Sequence, residues 1–172
     1  MADLTVDEKI TNAETMRHIL TVRALLLEAM GELVLRAHAH DQSKLGPPEV
    51  DTFTRVTPLL QGLTYGSPEY TEALTSMGPA LAHHYAHNSH HPEHFEAGIR
   101  GMDLFDLLEM LFDWKAATLR HADGDLQKSL RVNAERYKIP EPILQILTNT
   151  VKKVEELAEI ANVAASYPHS GR

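Results

Sequence analysis

The sequence predicts an all-α protein, a compact single-domain helical bundle of about six to seven helices. Apolar residues recur at offsets of three and four through most of its length. The breaks between these segments fall at glycine and proline clusters flanked by residues that cap helices. No segment shows the period-two alternation of a half-buried strand. A chain of 172 residues, 43% of them hydrophobic, can bury one good-sized core. The domain is expected over residues 1–166, with a flexible C-terminal tail over 167–172.

The first helical pattern runs from about Thr5 to Asp41, carried by residues such as Ile10, Leu20, Leu27 and Val34. Gly31 lies inside it and costs about 1 kcal/mol relative to alanine in a helix interior. The segment therefore reads either as two antiparallel helices meeting at Gly31 or as one long helix weakened there. Gly46-Pro47-Pro48 ends it, because a residue before proline is pushed out of the α region. A second helix restarts near Pro48 and is expected to end near Pro58. Ser67 and Pro68 suit the N-cap and first turn of the next, which runs to about Asn88 with a break at Gly78-Pro79. Pro92 leaves Ser89–His94 as a loop or helix end. Asp103 can cap a helix from Leu104 to about His121, followed by helices at about Leu126–Tyr137 and Glu141–Ala165.

Sixteen Lys and Arg stand against 24 Asp and Glu, a net charge of -8, and no basic tract is present. Stable binding to nucleic acid is therefore not expected. A small anionic substrate stays compatible with this charge if a bound divalent ion reverses the local field. The absence of cysteine excludes disulfides, cysteine-based zinc sites and thiol nucleophiles. The N-terminus is polar and no apolar run approaches the ~20 residues of a membrane span, so a cytoplasmic location is the simplest expectation. Nothing in the pattern demands a homo-oligomer, and nothing excludes one.

Six of the 11 histidines, His83, His84, His87, His90, His91 and His94, fall within twelve residues. Imidazole is the usual ligand for borderline divalent metals, and Tyr85, Asn88, Pro92 and Phe95 interrupt the cluster in a way an affinity tag would not. On a continuous helix His84, His87 and His91 would align, but Pro92 takes His90 and His91 off that register. His40-Asp41 forms a second element, able to converge on an ion at a helix end, with Lys44 one turn on and able to meet an anion. Asp106, Glu109, Asp113 and Arg120 form a third, sharing one strip of an otherwise apolar helix. That strip reads equally as a solvated stripe or as the wall of a polar cavity.

Together these segments resemble the HD superfamily of metal-dependent phosphohydrolases. His40-Asp41-Gln42-Ser43-Lys44 resembles its His-Asp signature, His18 its upstream histidine and Asp113 its downstream aspartate. The run His84–Phe95 followed by Glu109–Trp114 is similar, more closely, to an uncharacterised HD-like family common in bacteriophages and bacteria. The resemblance implies that His18, His40, Asp41 and Asp113 hold one metal, and that His84, His90 and His91, sharing Asp41, hold a second. His18 precedes His40 by only 22 residues. In one straight helix they would stand roughly 33 Å apart, so shared ligation requires a turn near Gly31, with His38 as the substitute.

The implied activity is hydrolysis of a phosphate ester or anhydride, foremost in a (deoxy)nucleotide, through a metal-activated water. The implied cofactor is Mn, Fe, Co, Ni or Zn as one or two ions, with Mg also compatible. Lys44 and Arg120 are the candidates for holding phosphate oxygens, Glu49 for proton transfer or orientation, and Asn88 for a supporting hydrogen bond. Two other readings fit the same residues: a di-iron oxygenase, and a non-catalytic binding protein stabilised by its metal.

Overall fold

A computed structural model describes residues 4–64, 67–119 and 124–165, with the side chains of Gln61 and of 154–165 left aside. Its helices are α1 (Val6–Ala39), α2 (Val50–Gln61), α3 (Pro68–Ser76), α4 (Gly78–His87), α5 (Leu104–Thr118), α6 (Leu126–Tyr137) and α7 (Glu141–Ala165). Short 3-10 turns lie at Gln42–Leu45, Pro92–His94 and Gly98–Gly101, and no strand occurs among the described residues. The protein is all-α. Its contacts divide it into two units, Met1–His40 and Asp41–Arg172.

The first unit is the single helix α1. Thr5 caps it: Glu8 N–H donates to Thr5 Oγ1 at 3.3 Å, and Thr5 N–H donates to Glu8 Oε2 at 2.8 Å. The helix runs through Gly31 without a turn, so of the two readings of this segment the single long helix is the one that forms. The loss from one glycine is small against the hydrogen-bond ladder of a 34-residue helix. None of its residues is buried. No described helix is long and apolar enough to cross a membrane.

The second unit begins at Asp41, whose φ of 57° puts it in the left-handed region that stops α1. Aspartate tolerates this better than most residues. The helix α2 continues through Pro58 to Gln61 instead of stopping at the proline. Pro58 falls in the last turn, where its missing N–H leaves only the Thr54 carbonyl without a helical donor, and Thr54 is exposed to water. Ser67 caps α3, accepting from Tyr70 N–H at 3.1 Å, and Gly78, at φ 36°, separates α3 from α4.

The hydrophobic core lies among α5, α6 and α7. Leu107, Met110 and Leu111 of α5 pack with Leu126 and Leu130 of α6 and Leu147 and Val151 of α7. Each such side chain contributes roughly 1.5–3 kcal/mol by leaving water. Trp114 stacks on Tyr137 at 6.2 Å with their planes 6° apart. Asp103 anchors α5, its Oδ1 accepting from the N–H groups of Phe105 and Asp106 at 2.8 and 2.9 Å. With one face of α5 fixed on this core, its Asp106–Glu109–Asp113 strip is turned elsewhere.

Candidate metal centre

Four side chains of the second unit, Asp41, His84, His90 and His91, each bring one donor atom within 4.8 Å of the others. They come from three local structures. Asp41 sits at the left-handed residue opening the 42–45 turn. His84 is in the last turn of α4. His90 and His91 follow the end of that helix, where Asn88 leaves helical geometry at φ -128°, ψ 101°. The release at Asn88 lets two histidines six and seven residues beyond His84 fold back toward it.

The donor atoms crowd closely. His84 Nε2 lies 2.9 Å from His91 Nε2 and 3.2 Å from Asp41 Oδ1, and His90 Nε2 lies 3.6 Å from the same oxygen. Donors bound to one ion at ~2.0–2.2 Å stand roughly 2.9–3.6 Å apart, between the right-angled and tetrahedral cases. The observed spacings fall in that interval.

Carboxylates behind the rings set which nitrogen carries the proton. His84 Nδ1 lies 3.0 Å from Glu49 Oε2, and His90 Nδ1 lies 3.0 Å from Glu109 Oε1. An ionised carboxylate can only accept, so each Nδ1 is the N–H and each Nε2 turns a lone pair to the centre. Glu49 is 0% exposed. Burial acts to raise its pKa, but hydrogen bonds from His83 and Ser43 and the nearby His84 outweigh it, and the carboxyl is held below its ordinary value. His91 is driven the other way from charge. Burial first, then His90, His84 and Lys44, push its pKa down to about 2 against the pull of Asp41. A neutral His91 keeps a lone pair available. Three imidazole nitrogens and a carboxylate oxygen thus form an electron-rich pocket able to hold a metal ion.

The surrounding bonds fix this arrangement. Lys44 Nζ donates to Asp41 Oδ2 at 2.6 Å, leaving Oδ1 toward His84 and His90, and sits 5.2 Å from the Phe53 ring centre. Ser43 Oγ donates to Glu49 Oε2 at 3.1 Å. Asn88 Nδ2 donates to His84 O at 2.8 Å and to Ser43 Oγ at 2.9 Å. Ser89 Oγ donates to Asp106 Oδ1 at 2.6 Å, tying the residue before His90 to α5. Beyond His91, Glu93 Oε1 accepts from Arg136 Nη2 and Tyr137 Oη, each at 3.1 Å, which fastens the Pro92–His94 turn to α6.

The expected site residues separate accordingly. Asp41, His84, His90 and His91 come together. Asp113 of α5 offers a carboxylate oxygen within 4.8 Å of one from Asp41. His40 closes α1 as its C-cap, its backbone N–H donating to Arg36 O at 2.8 Å, directly before Asp41 in the chain. His18 is a correction. It is exposed on an unbroken α1, roughly 33 Å from His40 along the axis, so the two cannot share an ion. The substitute, His38, is also exposed. Glu49 is a positioning residue, since His83, His84 and Ser43 occupy its buried oxygens. Lys44 is held on Asp41, where it orients that carboxylate. Arg120 lies outside the described residues.

Of the remaining histidines, His83 Nδ1 donates to Glu49 Oε1 at 2.7 Å, His87 to His83 O at 2.8 Å, and His94 to Tyr85 O at 2.8 Å. The supporting roles of Ser43, Ser89 and Glu109 were not assigned from sequence. Glu109 left a signal there in its three- and four-residue offsets from Asp106 and Asp113, and Ser43 in its place within the His-Asp signature.

Residues 7–160 match a family of unknown function, DUF5662, a span that includes every residue of the centre. No curated protein and no solved structure matches the chain. Because the match extends over most of its length, the chain belongs to the DUF5662 family.

Proposed function

We propose that this protein is a metal-dependent phosphohydrolase acting on a phosphate ester or anhydride, with (deoxy)nucleotides as the first substrates to test. The observation that carries this reading is the convergence of Asp41, His84, His90 and His91, with Glu49 and Glu109 bonded to the far nitrogens of two of the imidazoles. This mixed nitrogen and oxygen set suits Mn, Fe, Co, Ni or Zn. A divalent ion, when bound, supplies a Lewis acid for a phosphoryl oxygen and a water of lowered pKa. The chain's own residues supply orientation: Glu49 and Glu109 keep the Nε2 lone pairs turned inward, and Lys44 directs Asp41 Oδ1. Lys44 is also a cation that an arriving phosphate could draw away from Asp41.

The test is to load the purified protein with Mn²⁺ or Co²⁺ and follow phosphate release from a panel of nucleotides and simple phosphate esters. Release that disappears in Asp41→Ala supports the reading; no release from any member of the panel by metal-loaded protein refutes it.

One observation favours a second reading, a metal held for stability alone. Four protein donors are enough to close a tetrahedral zinc site, and His84 and His90 are only 1% and 2% exposed. Zinc in the protein as isolated, with chelation lowering the melting temperature and no activity under any metal, would select it.

A further inference from the structure

The proposed chemistry leaves two neighbouring histidines of the cluster unused. His83 and His87 are four residues apart on α4, so their side chains fall on one face of the helix. The His83 side chain is 32% exposed, and His87 is exposed. Their rings stack, with centres 4.0 Å apart and planes 22° from parallel. Two histidines at this offset on a helix are a recurring chelating pair for zinc.

The bonds around the pair are those of metal ligands. A ligating imidazole turns one nitrogen to the ion and donates its other N–H to a carboxylate or a backbone carbonyl. His83 Nδ1 donates to Glu49 Oε1 at 2.7 Å, and His87 Nδ1 donates to His83 O at 2.8 Å. With the hydrogen of each neutral ring on Nδ1, each Nε2 keeps its lone pair. Neither Nε2 has a hydrogen-bond partner among the described residues. The buried Glu49 stands behind His83 through Oε1 as it stands behind His84 through Oε2. His87 is also the last residue of α4, where the helix dipole favours a cation.

We infer that His83 and His87 form a second metal site, exposed at the end of α4, which takes a borderline divalent ion such as Zn²⁺, Ni²⁺ or Cu²⁺ through their two Nε2 atoms. Imidazole suits these ions, and Cu²⁺ binds such donors most tightly. Zn–N bonds of about 2.0–2.1 Å set the two nitrogens roughly 2.9–3.4 Å apart. Rings with centres 4.0 Å apart reach that spacing by a small rotation of the exposed His87. Two protein donors leave the remaining coordination positions to water or to an oxygen ligand from solution. That openness separates this site from the centre, where four protein donors converge. The inference does not rest on the hydrolase reading, since it needs only these two rings and the groups that hold them.

The test is calorimetric titration of the metal-free full chain with Ni²⁺, wild type against variants. His87 is the side chain to change, because His83→Ala would also strip a partner from Glu49 and disturb His84. His87→Ala should bind one ion fewer per chain than wild type, and His87→Gln should match it. His94→Ala removes another exposed histidine of the cluster and should lose none. Circular dichroism establishes that each variant is folded. A second measurement reads the ligands directly: wild type already holding Zn²⁺ should take up Cu²⁺ with the electron-paramagnetic signature of two nitrogen ligands, and His87→Ala should not. Equal ion counts in wild type and folded His87→Ala would overturn the inference and leave stacking as the whole of the interaction between the two rings. The same loss in His94→Ala would overturn it too, by showing adventitious binding to surface histidines.

Discussion

Replacing Glu49 by Gln turns one oxygen of a carboxylate that solvent does not reach into an NH₂ group, and the bonds around it decide the outcome. In the wild type, Oε1 accepts from His83 Nδ1 at 2.7 Å, and Oε2 accepts from His84 Nδ1 at 3.0 Å and Ser43 Oγ at 3.1 Å. Glutamine keeps one accepting oxygen. If its NH₂ faces His84, that Nδ1 must give up its hydrogen to accept, the proton moves to Nε2, and the centre loses a lone pair. If its oxygen faces His84, the tautomer survives but the charge that strengthens the imidazole as a donor is gone. Loss of such a supporting partner typically costs 10- to 100-fold in metal affinity, roughly 1.4–2.7 kcal/mol. Glu109→Gln should do the same through His90, whose Nδ1 lies 3.0 Å from Glu109 Oε1. The assay is chelator competition with Zn²⁺ or Mn²⁺ on wild type and both variants, with metal-free melting curves to establish that each is folded. Wild-type affinity in both folded variants would refute the assignment of Nε2 as the donor.

Three further outcomes follow from the packing and the caps. Leu111→Ala, at a fully buried position of α5, should destabilise the protein by about 3–5 kcal/mol in urea titrations. Gly101→Ala should cost roughly 1–3 kcal/mol by the same measurement, since a Cβ there would stand 2.7 Å from Phe95 Cβ, an atom close to the backbone with little freedom to retreat. Asp125→Ala removes the cap of α6, in which Asp125 Oδ1 accepts from Lys128 N–H at 3.0 Å. That bond lowers the Asp125 pKa from its ordinary 3.8. Its stabilisation is therefore present above the ordinary value and lost as pH falls through the folded one. Melting temperatures of wild type and variant should differ at neutral pH and converge in strong acid.

Most of the fold was legible because its punctuation is local. Ser67 and Asp103 each cap the helix whose start they are expected to mark, and the Gly78-Pro79 break separates α3 from α4 as expected. The point left open, Gly31, and the one misplaced, Pro58, share a cause. Each residue weakens a helix by an amount that its surroundings can outweigh, and sequence shows the local penalty but not the compensation. Gly31 sits deep in a long hydrogen-bonded ladder, while Pro58 lies where few bonds remain to be broken.

The centre was legible as far as residue type and helix registry reach. A continuous helix would have presented His84, His87 and His91 together, yet His87 donates to His83 O and His90 takes the inner position. The difference turns on Asn88. By leaving the helix there, the chain gives up registry, and the Ser89–Asp106 and Glu93–Tyr137 bonds then decide where His90 and His91 point. Those bonds join residues 17 and 44 apart in the chain, and no local spacing rule reaches that far. For the same reason Glu49 and Glu109 could be suspected but not placed: a carboxylate on a polar strip and a carboxylate behind a histidine look alike until the helices pack. Tertiary packing thus turns an ambiguous acidic stripe on α5 into part of the site. The apolar face of α5 is committed to Leu126, Leu130 and Val151, so Asp106, Glu109 and Asp113 are carried together to Ser89, His90 and Asp41.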